Sequence, residues 1–379
     1  MRNNSRTTDR YTRGTVLLPA LLMIGAMLGI GALAVDLGML LTAKDELQTA
    51  ADAAALAGVK ELAFGEFELA RDRAVALAAL NGALGEPVAI DREADVTLGY
   101  WLYGESRLVA GVAQPNAVQV VARRLADQGT GVTTWFAQSL GVSQMDAGAE
   151  ATAIAVNRDL VLVIDRSGSM GDRLPCGTPG TPAIVPTREA AAQFLRGLAE
   201  STLPERAGLV TYALEPRVEV EIVNVDEHLS QLVNATLDLT AAPCGYIGST
   251  NTGEAIDFAV ELYLRDANQG GNPAGFGQKL IVLLSDGLAN AWPEATEPET
   301  NLGNASNIAG AYAVEAAETA ASAGITIHTI MLGEAPGAGD QLRAISAAAG
   351  GLHMEAPTPQ DLDELFQRLA RLVQVALVH

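Results

Sequence analysis

From Gly14 to Val35 the chain runs for 22 residues without a charged side chain. Coiled as an α-helix, that stretch is about 33 Å long, enough to cross a hydrocarbon core of about 30 Å. Its flanks differ in sign. Residues 1–14 carry Arg2, Arg6, Arg10 and Arg13 against Asp9 alone, a net +3, and everything after them sums to −24. Asp36, Asp45, Glu46 and Asp52 follow the apolar run. Basic residues before a membrane helix hold that end in the cytoplasm. The sequence thus predicts a single pass through the inner (cytoplasmic) membrane, with the C-terminal part periplasmic or extracellular. A cleaved signal peptide would have a shorter apolar region ending at a small-residue site. A buried core helix is the other alternative, and 22 uncharged residues bordered by arginine speak against it.

The overall balance narrows the partner classes. With a net charge of −21 over 379 residues, the chain repels nucleic acid, so no nucleic-acid partner is expected. Cys176 and Cys244 form no C-x-x-C pattern. His228, His328, His353 and His379 are scattered without an H-E-x-x-H, and no glycine-rich loop ends in lysine. The near absence of lysine beside abundant alanine, glycine and arginine suits a GC-rich bacterial gene.

Past the apolar run, Leu47, Ala51, Ala54, Gly58 and Leu62 recur at helical spacing, a stripe of mostly small residues suited to close helix packing. A second helical run spans Glu66 to Asn81. Residues 13–62 resemble the N-terminal region of TadE/TadG-like proteins of the Flp (tight adherence) pilus system. The resemblance is carried by Arg13-Gly14, the apolar run, Val35-Asp36-Leu37-Gly38 and the Ala-Asp-Ala-Ala-Ala-Leu-Ala-Gly stretch ending at Gly58. Arg13-Gly14 also resembles a prepilin-peptidase site, which would leave a mature chain starting at Thr15. Pilin-like proteins carry Glu five residues later, where this chain has Pro19.

Residues 86–156 read as a small α+β region. Val96 to Trp101, Ala117 to Ala122 and Gly148 to Val156 are strand candidates, Pro115-Asn116 marks a turn, and Thr134 to Leu140 reads as a short helix. Trp101 and Trp135 are expected as packing residues rather than ligand contacts.

The chemistry concentrates further on. Leu160 to Ile164 is a continuous apolar run of the kind buried on both faces of a parallel sheet, and it ends in Asp165-Arg166-Ser167-Gly168-Ser169. A D-x-S-x-S at the carboxyl end of a buried strand places one carboxylate and two hydroxyls where open α/β sheets bind ligands. Taken alone, the same residues would serve as a polar turn capping a helix. A second apolar run, Leu280 to Leu284, ends in Ser285-Asp286-Gly287, and between the two lies Gly248-Ser249-Thr250-Asn251-Thr252-Gly253 before a helical pattern. Oxygen-only donors suit a hard divalent cation.

With those pieces together, residues 159 to about 375 resemble a von Willebrand factor A domain carrying a metal-ion-dependent adhesion site. Asp165, Ser167 and Ser169 match the first metal loop of that family, Thr250 the second and Asp286 the third. The resemblance implies a divalent cation, Mg²⁺ foremost with Mn²⁺ or Ca²⁺ as alternatives, and a carboxylate of a protein partner filling an open coordination position. Two charged ligands leave such a cation electrophilic, and an incoming Asp or Glu restores the balance. No nucleophile–base pair accompanies the site, so no enzyme is expected.

The rest alternates as a doubly wound fold requires. Helices are expected at Arg188–Ser201, Asp226–Thr236, Glu254–Leu264, Ile308–Ala323, Asp340–Ala349 and a closing Pro359–Leu377. Strands are expected at Ala207–Tyr212, Arg217–Ile222, Ile325–Leu332 and Gly351–Glu355, with His328 a satisfied core residue. The fold class is α/β, a Rossmann-like domain with a mostly parallel central sheet, preceded by a transmembrane helix and a small α+β region. The chain divides into a basic cytoplasmic segment (1–14), a transmembrane helix (15–41), a helical TadE/TadG-like stalk (42–85), a connecting region (86–156) and the α/β domain (157–379).

Cys176 and Cys244 both fall near the rim of the metal loops. In an oxidising compartment they are expected to form a disulfide, closing a loop of 68 residues and stabilising the domain by ~4 kcal/mol in the chain-entropy model, with two free buried thiols as the alternative. Residues 287–307, with Gly171 to Thr187, are expected either to frame a partner surface or to form solvated loops. The functional expectation is a membrane-anchored, metal-dependent adhesion or assembly protein linked to Flp-type pili, partnering pilus or envelope components. A minor pilin-like subunit and a regulator of a membrane-associated ATPase are the alternatives.

Overall fold

The computed structural model describes residues 17–62, 64–102, 105–171, 182–243, 248–268, 277–293, 308–335, 337–370 and 374–378. Helix α1 (Leu17–Leu62) is continuous for 46 residues and has two environments. Its first part is long and apolar enough to cross a membrane, and its large side chains stand exposed, Leu21 at 64% and Ile30 at 71%. From Ala43 onward one face is buried. The stripe Leu47, Ala51, Ala54, Gly58 and Leu62 lies wholly on that face. Residues 43–62, the first part of the segment expected as a helical stalk (42–85), pack into a core along that face.

That core is shared with α2 (Phe67–Leu80) and with an antiparallel sheet. A tight hairpin, β1 (Gly82–Ala83) and β2 (Glu86–Pro87), leads into β3 (Val96–Leu102), β4 (Arg107–Ala110) and β5 (Ala117–Arg124). A second hairpin, β6 (Val132–Thr133) and β7 (Gln144–Met145), precedes β8 (Ala147–Val156). Ala51, Ala54 and Val59 of α1 pack with Ala70 and Ala74 of α2 over Val118, Val120 and Ala151 of the sheet. A Cβ on Gly58 would come within 2.9 Å of the Ala70 carbonyl and 3.3 Å of Val118 Cγ1, so the helices approach only because that residue is glycine. Trp101 is buried on the opposite face with Ala117 and Ile154, as expected. Trp135 is not: it is 67% exposed, at the tip of the β6–β7 hairpin. The helix expected over Thr134 to Leu140 is a single 3₁₀ turn, Ala137–Leu140, because a ten-residue hairpin tip has no room for more.

One residue, Asn157, separates β8 from β9 (Arg158–Asp165), the centre of the second sheet. There follow α3 (Ile184–Leu198), β10 (Arg206–Tyr212), β11 (Pro216–Asn224), α4 (Val225–Leu237), α5 (Thr252–Asn268), β12 (Gln278–Ser285), α6 (Ile308–Ser322), β13 (Ile325–Leu332), α7 (Ala338–Ala348), β14 (His353–Ala356), α8 (Pro359–Ala370) and β15 (Gln374–Val378). The sheet order is β11-β10-β9-β12-β13-β14, parallel except for β11. Every residue of β9 is buried. Leu160, Leu162 and Ile164 face Phe194 of α3 and Phe366 of α8, while Val161 and Val163 face Ile256 of α5 and Leu342 of α7. This is the doubly wound α/β architecture, and the two-sided burial explains why β9 and β12 read as unbroken apolar runs.

The chain's end departs from expectation. The closing helix stops at Ala370, and Gln374–Val378 is a strand paired antiparallel with β8, Gln374 opposite Val156. The small sheet is therefore β15-β8-β5-β3-β4. The large domain leaves β8 and returns to β8's neighbour, so two adjacent strands bracket it. Alternating Val375 and Leu377 pack toward α1, which a helical register would not have achieved. Arg158, 3% exposed, secures the junction: it pairs with Glu205 at 2.8 Å and donates to the Leu369 and Ala370 carbonyls at 3.0 and 3.1 Å.

Candidate metal centre

Parallel strands β9 and β12 lie side by side and end at the same edge of the sheet. Asp165 is the last residue of β9 and is wholly buried; Asp286 follows the last residue of β12. After Asp165 the chain turns sharply. The Ser167 amide donates to Asp165 Oδ1 at 2.7 Å, and Ser167 and Ser169 hydroxyls lie 3.0 Å apart. Ser169 Oγ donates to Asp286 Oδ1 at 2.6 Å, and Ser285 Oγ donates to Asp165 Oδ2 at 2.6 Å. Two crossed hydrogen bonds thus join the first and third loops, and Asp165, Ser167, Ser169 and Asp286 converge.

Thr250 reaches the same edge by another route. Its amide donates to Asn290 Oδ1 at 2.7 Å and its carbonyl accepts the Asn290 amide at 2.9 Å, locking its loop to the segment that follows Asp286. A Cβ on Gly248 would lie 2.3 Å from the Pro243 carbonyl and 3.2 Å from the Gly168 amide nitrogen, so this loop also runs against the first one. The Asn251 side chain caps the start of α5, its Oδ1 accepting the Glu254 amide at 3.4 Å while its Nδ2 donates to the Glu254 carboxylate.

The electrostatics are those of crowded anions. Burial raises the Asp286 carboxyl to about 7, helped by the neighbouring Asp165 charge, with the Ser169 hydroxyl pulling the other way. Burial also raises Asp165, against the Ser285 and Ser167 donors. Tyr212, opposite Asp165 in the sheet register, has its phenol pushed well up by burial and by Asp165. Among the described residues no basic side chain pairs with either carboxylate, and no three His, Cys, Asp or Glu side chains gather around one point. Two carboxylates with hydroxyls, in a buried pocket where no described residue supplies a counter-charge, fit a hard divalent cation better than they fit each other.

A family match decides the class. Residues 159–368 match the von Willebrand factor type A domain, more than half of the chain.

The chain belongs to the von Willebrand factor type A family.

Its A domain is preceded by residues 14–61, which match the family described as putative Flp pilus-assembly TadE/G-like. No curated protein matches the chain. Among solved structures, the PilB minor pilin from Streptococcus sanguinis is 18% identical, with a TM-score of 0.44 over 61% of this chain and 66% of that one. The vWF domain of the type V pili tip protein Mfa5 from Porphyromonas gingivalis is 18% identical, with a TM-score of 0.42 over 58% of this chain and 97% of that one. Proximal thread matrix protein 1 from the mussel byssus, with a zinc-occupied MIDAS motif, is 14% identical, with a TM-score of 0.40 over 59% of this chain and 48% of that one.

Beside Ser169 and Asp286 the A domain opens a groove of about 780 Å³, lined further by Val185, Glu189, Leu332 and Glu334. In the segment after Asp286, expected either to frame a partner surface or to form a solvated loop, Ala289 and Ala291 are fully buried, and Gln341 holds the Ala289 amide at 2.7 Å. Helix α3 begins at Ile184, so residues 184–187 belong to it rather than to a rim loop. Cys176 and Cys244, with most of the two rim segments and Arg13-Gly14, lie outside the described residues.

Sequence reasoning missed Ser285, Asn290 and Tyr212. Ser285 had a signal, a hydroxyl ending an apolar strand directly before an aspartate. Asn290 had none, because it acts on Thr250 from 40 residues away.

Proposed function

We propose that this chain is a membrane-anchored, divalent-cation-dependent protein-binding subunit of the bacterial envelope, working with Flp-type pilus assembly. Asp165, Ser167, Ser169, Thr250 and Asp286 would hold the cation, Mg²⁺ foremost, with Mn²⁺ or Ca²⁺ as alternatives. The bound cation supplies an electrophilic position for a carboxylate of the partner. The protein's own part is to hold the oxygens in place: Ser285 orients Asp165, and Asn290 orients the Thr250 loop. The adjoining groove offers apolar Val185 and Leu332 as a seat for the partner's neighbouring residues. The role is binding, and no catalytic step enters it.

The reading rests on one observation, the 2.6 Å contact between Ser169 and Asp286, side chains 117 residues apart. The TadE/G-like match over residues 14–61 supports the link to pili. The apolar exposed face of α1 before Asp36 supports a single-pass anchor, with its basic N-terminal flank in the cytoplasm and the A domain exported.

Titration calorimetry of the purified full chain with MgCl₂ and MnCl₂ tests the cation. Wild type is expected to bind one equivalent, and Asp165→Ala is expected to bind none while keeping its circular dichroism. Equal heats from both proteins would overturn the metal assignment.

A further inference from the structure

The tip of the β6–β7 hairpin has the makings of a second membrane contact. It spans residues 134–143, between the paired Thr133 and Gln144. Four of its apolar side chains are turned outward: Trp135, Phe136 (47% exposed), Leu140 (85%) and Val142. No charged residue occurs from Gln128 to Met145. An exposed apolar cluster without a charge, in a chain this acidic, calls for a cover.

Its position on α1 is defined. Asp36, 3% exposed, receives the Trp135 amide at 2.7 Å, the Phe136 amide at 3.1 Å and the Ala137 amide at 2.7 Å. Asp36 is the first charged residue after the apolar run. From Leu17 to Val35 the helix rises about 28 Å, close to the thickness of a hydrocarbon core. The tip is therefore held at the level where that run ends. Leu33 and Leu37, within one helical turn of Asp36, are exposed as well, so the helix is apolar on its free side at the level where Asp36 holds the tip.

The tip's backbone is already prepared for a dry environment. Asp36 takes three of its amides; the Gly141 amide donates to the Gln138 carbonyl, Val142 to Ala137, and Thr134 to Ser143. The Ser139 hydroxyl donates to the Phe136 carbonyl at 2.7 Å. With these backbone amides satisfied internally, the tip enters the boundary between headgroups and acyl chains at lower cost, and Trp is enriched at that depth.

We propose that residues 134–143 insert into the outer leaflet at its headgroup boundary, with Trp135, Phe136, Leu140 and Val142 as the inserted side chains. The occupant of the patch is lipid. This rests on the anchor reading of α1. A single helix leaves the exported part free to tilt, whereas a helix and a hairpin tip bound together by Asp36 set one orientation. The metal-loop edge of the A domain is thereby presented at a fixed angle to the bilayer.

The test uses the full chain with Trp101→Phe and Trp292→Phe, leaving Trp135 as the reporter, reconstituted in phosphatidylcholine–phosphatidylglycerol vesicles. Flotation after an alkaline wash reads the anchor independently. Phosphatidylcholine brominated on its acyl chains is expected to quench on the order of half of the Trp135 emission, and Asp36→Ala is expected to lose most of that quenching while still floating. Floating protein whose Trp135 is unquenched would overturn the inference and leave the anchor standing, and blue-shifted but unquenched emission would assign the patch to a protein instead. Protein that fails to float would overturn both.

Discussion

Ser285 Oγ donates to Asp165 Oδ2 at 2.6 Å across the ends of β12 and β9. The contact is buried, and the other oxygen of Asp165 is held by the Ser167 amide. Asp165 thus has both oxygens positioned by the protein before any cation arrives. Ser285→Ala removes one of these restraints without touching a proposed ligand. Stability should fall by about 1 kcal/mol, the worth of one hydrogen bond, while Mg²⁺ affinity falls about 10–100-fold, as when a metal ligand loses its supporting partner. Calorimetric titration with parallel denaturant unfolding separates the two effects. An unchanged affinity would mean that Ser285 serves only packing.

Arg158 and Glu205 form the ion pair beneath the junction of the two sheets, with side chains 4% and 2% exposed. The same guanidinium holds the carbonyls that end α8. Arg158→Ala leaves Glu205 buried without its partner, which costs about 3–5 kcal/mol. Arg158→Met combined with Glu205→Leu should recover much of that loss, because no lone charge then stays inside. Urea unfolding of the three proteins checks this. A loss below about 1 kcal/mol in Arg158→Ala would show that water reaches Glu205.

His328 sits on β13 and its Nδ1 accepts the Leu352 amide at 2.9 Å. Burial holds its imidazole below the ordinary 6.5, and His353 is lowered in the same direction by burial and then by Arg343. In the fold His328 takes up its proton at a lower pH than in the unfolded chain, which does so as pH falls through about 6.5. The unfolded state then binds more protons, so this term costs stability with acidification and nothing at higher pH. His328→Gln keeps an acceptor for Leu352 and should unfold with a shallower pH slope than wild type between about pH 7.5 and 5.5. Thermal melts at saturating Mg²⁺ compare the two. Parallel slopes would count against the assignment.

What could be read from the chain alone follows from periodicity and strand-end chemistry. The runs Leu160–Ile164 and Leu280–Leu284 announced two-sided burial, and the aspartates after them announced the edge where ligands sit. The small-residue stripe from Leu47 to Leu62 announced a packed helix face, though not what packs on it. Trp135 misled because indole is more often buried than displayed. Its exposure depends on Asp36, 99 residues away, holding the hairpin tip. The last strand misled for a similar reason: an amphipathic ending after α8 satisfies helix and strand patterns alike, and only the open edge of β8 selects the strand.

By itself, the sequence determined the apolar helix, the alternation of buried strands and covering helices, and the oxygen donors that end those strands. Each is encoded within a short window, where spacing sets which face is apolar. Tertiary structure alone decided that Ser169 meets Asp286, that Arg158 meets Glu205, and that β15 returns to β8. These are contacts between distant segments. Their partners are chosen by which backbone groups and charges remain unsatisfied once the layers have packed, and no local pattern records that.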